Sequence, residues 1–268
     1  MLPGLGLDAT IYLGTPDGRD GWADLAAEDG YLALAVDGPS LVASGSEQAL
    51  AAASAGSLNQ WSADQIWPRW GFGEQVGEPY ADTRFPVQAI DQFIADLPEY
   101  AGGGAGGPAG SGRRSGGNAE ANGRGGGAQA SADDVAALIQ VLEASGPAVL
   151  MAHSASGTTA FEVARTRPEL VEAIVAIEPV GCPTDPANTP PVPLLAVYGD
   201  RITERRQGDR MSACADAVQA ATSTGQSAKL LSLPEQGISG NTHLLMQDDN
   251  SEEVWRRIAQ FLDDALAD

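Results

Sequence analysis

Lysine is nearly missing from this sequence. Lys229 stands alone, and arginine supplies the rest of the 15 cationic side chains set against 36 aspartates and glutamates. The net charge of −21 argues against binding to a phosphate backbone, which needs basic surface. The acidic excess reads as solubility and coding bias, not as a binding signal. Cysteine and histidine are equally scarce. Cys182 and Cys214 allow one optional bridge, not the disulfide framework of a small secreted domain. With His153 and His243 as the only histidines, no zinc-ligand spacing exists, so neither a metal nor another cofactor is expected. No run approaches the roughly 20 apolar residues of a membrane span. The opening MLPGLGLDAT (1–10) lacks the basic start and apolar stretch of a signal peptide, so any leader would lie upstream of Met1.

What is present suits one large α/β domain spanning 1–268: 43% of the residues are hydrophobic, enough for a sizeable core. Residues 101–132, a glycine-rich stretch without apolar periodicity, cannot offset their ordering entropy by burial and read as a disordered insertion. No G-K-[ST] follows these glycines, so they are not a phosphate cradle. Elsewhere strand-like and helix-like runs alternate, as in a mostly parallel sheet flanked by helices. Strands are expected at 31–36, 148–152, 171–177, 193–198 and 228–233. Helices are expected at 85–97, 133–145, 157–167, 211–223 and 251–266, the last with Ser251 as N-cap.

One stretch carries chemistry. MAHSASGTT (151–159) places Ser154 between a strand and a helix, with small residues two positions before it (Ala152) and after it (Ser156). That is the steric requirement of a nucleophile elbow, although the literal G-x-S-x-G pattern is not met. A serine hydroxyl needs a base titrating near neutrality. His153 adjoins the turn and is better placed to pack than to act, which leaves His243, in the loop GISGNTHLLMQD (237–248). A carboxylate must then orient the imidazole. Glu178 and Asp200 each follow a strand, at the sheet edge where open α/β sheets bind ligands, and residue chemistry alone does not choose between them.

The chain thus resembles an α/β-hydrolase-fold serine esterase, with the order serine, acid, histidine. The closer resemblance is to the bacterial, Alcaligenes-type esterase branch, whose acid is a glutamate after strand six. It rests on GTPDGRDGWADL (14–25), EPYADTRFPVQAIDQF (78–93), AHSASG with ELVEAIVAIEPVG (152–157, 169–181), and VYGDRI with GISGNTHLLMQD (197–202, 237–248). The resemblance implies Glu178 as acid, with Asp200 second. It implies an oxyanion hole from the N–H of Ala155 and one from the loop at 4–7, Leu5 or Gly6. Two departures follow. The chain opens almost inside that loop, at LPGLGL (2–7), so the earlier strands of the fold are expected to be missing. The cysteine pair that this branch carries in the loop is also missing.

Three of the five tryptophans, Trp61, Trp67 and Trp70, cluster in a segment expected as a cap over an ester pocket at 60–84. The reading is therefore a serine hydrolase that cleaves small-molecule carboxylic esters through an acyl-enzyme. Alternatives are a lactonase or acyltransferase on the same triad, or a non-catalytic binding protein on the same scaffold. GLGLDA (4–9) also matches a dinucleotide fingerprint, but no strand precedes it, so that function is set aside.

Overall fold

The computed structural model describes residues 1–101 and 130–267. Its first part holds α1 (Thr10–Leu13), α2 (Trp22–Glu28), α3 (Glu47–Ser54), α4 (Ala63–Trp70) and α5 (Ile90–Ala95). Two short antiparallel ribbons lie among them. One pairs β1 (Leu58–Asn59) with β4 (Tyr100–Ala101), the other β2 (Gly73–Gln75) with β3 (Glu78–Pro79). The expected glycine-rich insertion falls almost wholly outside the described residues. At its far end α6 (Ala132–Ser145) opens on Ser131, whose hydroxyl caps Asp134 N–H.

From α6 onward the chain alternates. It runs β5 (Ala148–His153), α7 (Ser156–Thr166), β6 (Val171–Ile177), β7 (Leu194–Tyr198), α8 (Gly208–Ser223), β8 (Ala228–Ser232) and α9 (Ser251–Ala265). The four strands form one parallel sheet in the order β5-β6-β7-β8. Parallel strands are covered on both faces, hence their near-continuous apolar character. In β6, Ile174 to Ile177 are all fully buried. Alternation divides the strand residues between two cores. Leu150, Ala152, Ile174, Ala176 and Leu194 pack against α6, α7 and α8. Met151, Val175, Ile177, Leu195 and Val197 face the side holding α2, α4, α5 and α9. Helix α9 buries Val254, Trp255, Ile258, Phe261 and Leu262 and turns its glutamates and arginines outward.

Three expectations need correction. Tyr31–Val36 runs extended but is not a sheet strand. Its contacts alongside are Met1 N–H to Leu34 O (2.7 Å) and Val36 N–H to Met1 O (3.1 Å). With a single residue alongside, no ladder propagates, and Leu32 and Leu34 face outward. The helix expected over 85–97 regularises only at α5, after a 3₁₀ turn at Val87–Ala89. Asn250, not Ser251, is the N-cap of α9: Ser251 is already the first helical residue, and its hydroxyl accepts from Arg19 Nη1.

Candidate active site

Ser154 follows β5 directly, with its backbone in the left-handed region at φ +52°. A non-glycine residue there costs on the order of 1–3 kcal/mol and persists only when its surroundings hold it. Ser154 N–H donates to Ile177 O (2.9 Å), and Ser154 O accepts from Val180 N–H (2.7 Å) and Gly157 N–H (3.1 Å). The chain then turns at once into α7, which Gly157 permits: a Cβ there would lie 2.6 Å from Val180 O. The Ser156 hydroxyl bonds back to His153 O and Leu2 O. The turn is therefore over-determined from both sides.

Glu178 follows β6 with φ +41°, its N–H on Val197 O at 2.9 Å. Its carboxylate is fully buried, and Oε2 lies 2.5 Å from His243 Nδ1. Asp200 turns elsewhere, its carboxylate accepting Asn241 N–H. The structure thus brings Glu178, and not Asp200, to His243. The loop around His243 is held at several points. His243 N–H donates to Trp70 O (2.8 Å), while Asp248 binds Thr242 N–H, the Thr242 hydroxyl and Asn241 Nδ2 at 2.7–2.9 Å. Burial, opposed by those bonds, pushes the Asp248 carboxyl up to about 7. His153 lies beneath, ring centroids 4.5 Å apart, with Nε2 donating to His243 O at 2.9 Å.

Burial lowers the affinity of both imidazoles for a proton, most strongly at His153. Glu178 behaves oppositely. Burial alone would raise its carboxyl, but Arg205 and His243 hold it well below the ordinary carboxylate range. In its neutral form, with Nδ1–H on the carboxylate, His243 keeps Nε2 available as a base. The Ser154 hydroxyl makes no hydrogen bond to His243 in this structure; such bonds commonly close only around substrate.

The opposite wall is the loop at Leu2–Leu7. Leu2 forms a single parallel bridge with Ala152, through Leu2 N–H to Met151 O (2.7 Å) and His153 N–H to Leu2 O (3.0 Å). Gly4 lies so near the turn that a Cβ on it would fall 2.8 Å from His153 Nδ1 and 3.0 Å from Ser154 Cβ. The N–H groups of Leu5, Gly6 and Ala155 donate to no other group among the described residues. Trp61 Nε1 pins Leu5 O at 2.7 Å.

No protein-family model matches the chain. A solved structure described as a novel bacterial esterase superposes on 98% of it with a TM-score of 0.76 and 26% identity, covering 80% of that protein. The chain has the α/β-hydrolase fold and resembles an esterase. A probable secreted lipase from a fungal species is 28% identical over 197 residues, 69% of this chain. The chain spans 45% of the length of that curated relative.

Trp61, Trp67 and Trp70 are buried, with Trp61 edge-on to Trp70 at 5.6 Å and Trp70 against Phe72 and Phe93. A cavity of about 220 Å³ opens beside Ala155, Gly4 and Leu5, walled by Leu138, Val141 and Leu41; the tryptophans do not line it. The two cysteines are bridged, joining the segment after Glu178 to α8. Sequence reasoning missed Arg205. In DRITERRQ nothing distinguishes the one arginine that folds inward from Arg201 and Arg206, which read equally well as solvated charge.

Proposed function

We propose that this α/β-hydrolase is a carboxylic ester hydrolase acting through a serine acyl-enzyme. The observation that carries the reading is the buried Glu178–His243 pair, 2.5 Å apart, with Glu178 at the end of β6, the strand that neighbours the one leading into a strained Ser154. Ser154 Oγ attacks the ester carbonyl, and His243 Nε2 takes its proton and passes it to the departing alkoxide. Glu178 holds Nδ1–H and stabilises the imidazolium. The N–H of Ala155, with that of Leu5 or Gly6, stabilises the oxyanion; one such donor is worth about 3 kcal/mol. Water activated by His243 then releases the acid.

The names of the two similar proteins, an esterase and a lipase, support ester substrates. The cavity beside Ala155 is assigned to one arm of the ester. Segment 60–84 is assigned as the cap, with Trp61, Trp67 and Trp70 forming the apolar wall behind the oxyanion loop. The test is Ser154→Ala. Turnover of p-nitrophenyl esters and labelling by a fluorophosphonate should both vanish, and retained turnover overturns the assignment. Wild-type chain that resists labelling favours a binding protein on this scaffold.

A further inference from the structure

Arg205 contributes more to this site than a structural ion pair requires. Its guanidinium is buried and grips the Glu178 carboxylate with two bonds, Nη1 to Oε2 (2.5 Å) and Nη2 to Oε1 (2.6 Å). Nε and Nη2 also bond Asp200 O at 2.9 and 2.6 Å, which anchors the fork to the loop just beyond β7. Gly199 N–H occupies Oε1 as well, at 2.9 Å. Glu178 therefore accepts four bonds, and Oε2 is shared between Arg205 and His243 Nδ1.

Sharing one oxygen has two consequences. The fork prevents the carboxylate from rotating away from His243, a bidentate restraint that a single donor would not supply. It also sets a fixed positive charge against the negative charge that would otherwise draw a proton onto the imidazole. An isolated buried carboxylate beside a histidine raises the histidine's proton affinity; a carboxylate already neutralised does so far less.

We propose that Arg205 is a positioning residue of the triad, which holds Glu178 against His243 Nδ1 and keeps His243 unprotonated, setting the acid limit of activity. This rests on the esterase reading for its catalytic consequence, though not for its electrostatic one. The other charged or titratable groups around the pair do not duplicate the role. Arg210 on α8 adds positive charge without bonding either partner. His153, beneath the ring, is held neutral by burial. Tyr198 on β7 keeps its proton and donates to Cys214 Sγ. Asp248 is engaged with Thr242 and Asn241.

The test is an NMR titration of the imidazoles, simplified by there being two histidines, alongside the pH profile of kcat/KM. Arg205→Gln removes the charge and should move the His243 titration, and the acid limb with it, upward by about one pH unit. Arg205→Lys keeps the charge without the fork. It should leave the titration at the wild-type position while lowering kcat about tenfold at little change in KM. A His243 titration unmoved in Arg205→Gln, or shifted upward equally in both variants, overturns the proposal. Should Arg205→Gln not fold, Arg205→Lys decides alone: a wild-type titration with reduced kcat supports the role, and a raised titration overturns it. Because the titration needs no turnover, a Ser154 that resists fluorophosphonate sinks the esterase reading without touching this result.

Discussion

The two walls of the site are held by different physics. The acid wall is electrostatic: Glu178, Arg205 and His243 are buried together, and every carboxylate oxygen has two donors. Breaking such a group leaves an uncompensated buried charge, so the arrangement is all-or-none. The wall assigned to the oxyanion is uncharged, and steric where Gly4 meets the serine turn. It is held by one bridge at Leu2, by the Tyr12, Ser156 and Trp61 side chains on its carbonyl groups, and by Gly4 lying against the serine turn. Changes to the acid wall should therefore abolish function at one stroke, whereas changes to the oxyanion wall should grade with the size of the intrusion.

The sharpest way to break the contrast lies at the acid wall. Glu178→Gln keeps the shape but leaves Arg205 unpaired and no longer fixes the imidazole tautomer. The expected fall in kcat is about 10⁴-fold, the scale of a triad carboxylate replaced by its amide. Asp200→Asn, whose carboxylate only caps Asn241 N–H, should cost less than about tenfold. Steady-state kinetics on both variants checks the order, and a larger loss from Asp200→Asn would exchange the two acids. Next in size is the Cys182–Cys214 bridge, which spans 32 residues behind the acid wall. Loop entropy of that length is worth about 3–4 kcal/mol. Reduction should lower the unfolding free energy by that amount in urea titration, with turnover unchanged below the transition.

Much of this could be read from residues, and the misses share a cause. Strands β5 to β8 and helices α6 to α9 were legible because their apolar runs are long and bounded, as AVLMAH and VEAIVAI show. Ser154 and His243 stand out as candidates through scarcity: with two histidines, one of them beside the serine, the choice is short. Residue chemistry alone left Glu178 and Asp200 open, because both follow strands; the resemblance favoured Glu178, and the three-dimensional course of the loop at 200–207 is what turns Asp200 away from His243. That same course hid Arg205. Segment 31–36 misled because its composition is strand-like, while whether it becomes a strand depends on which partner lies alongside.

Gly4→Ala probes the steric wall. The added methyl would lie 2.8 Å from His153 Nδ1 and 3.0 Å from Ser154 Cβ, so the loop at 4–7 must draw back from the serine turn. A displaced oxyanion donor should lower kcat about 10²-fold, with KM and the His243 titration little changed. A His243 titration that moved with Gly4→Ala would mean that the walls are coupled through His153, and the division between them would fail.

Trp61→Phe is the gentlest probe of the same wall. It preserves most of the ring packing against Trp70 and Tyr100 but deletes the Nε1 bond to Leu5 O. One neutral hydrogen bond contributes about 1 kcal/mol, so kcat should fall roughly fivefold and thermal stability by a few degrees. If the oxyanion wall is graded as argued, the loss from Trp61→Phe should lie well below that from Gly4→Ala. A loss from Trp61→Phe as large as that from Gly4→Ala would show instead that this one bond places the loop, and that the steric wall also fails all at once.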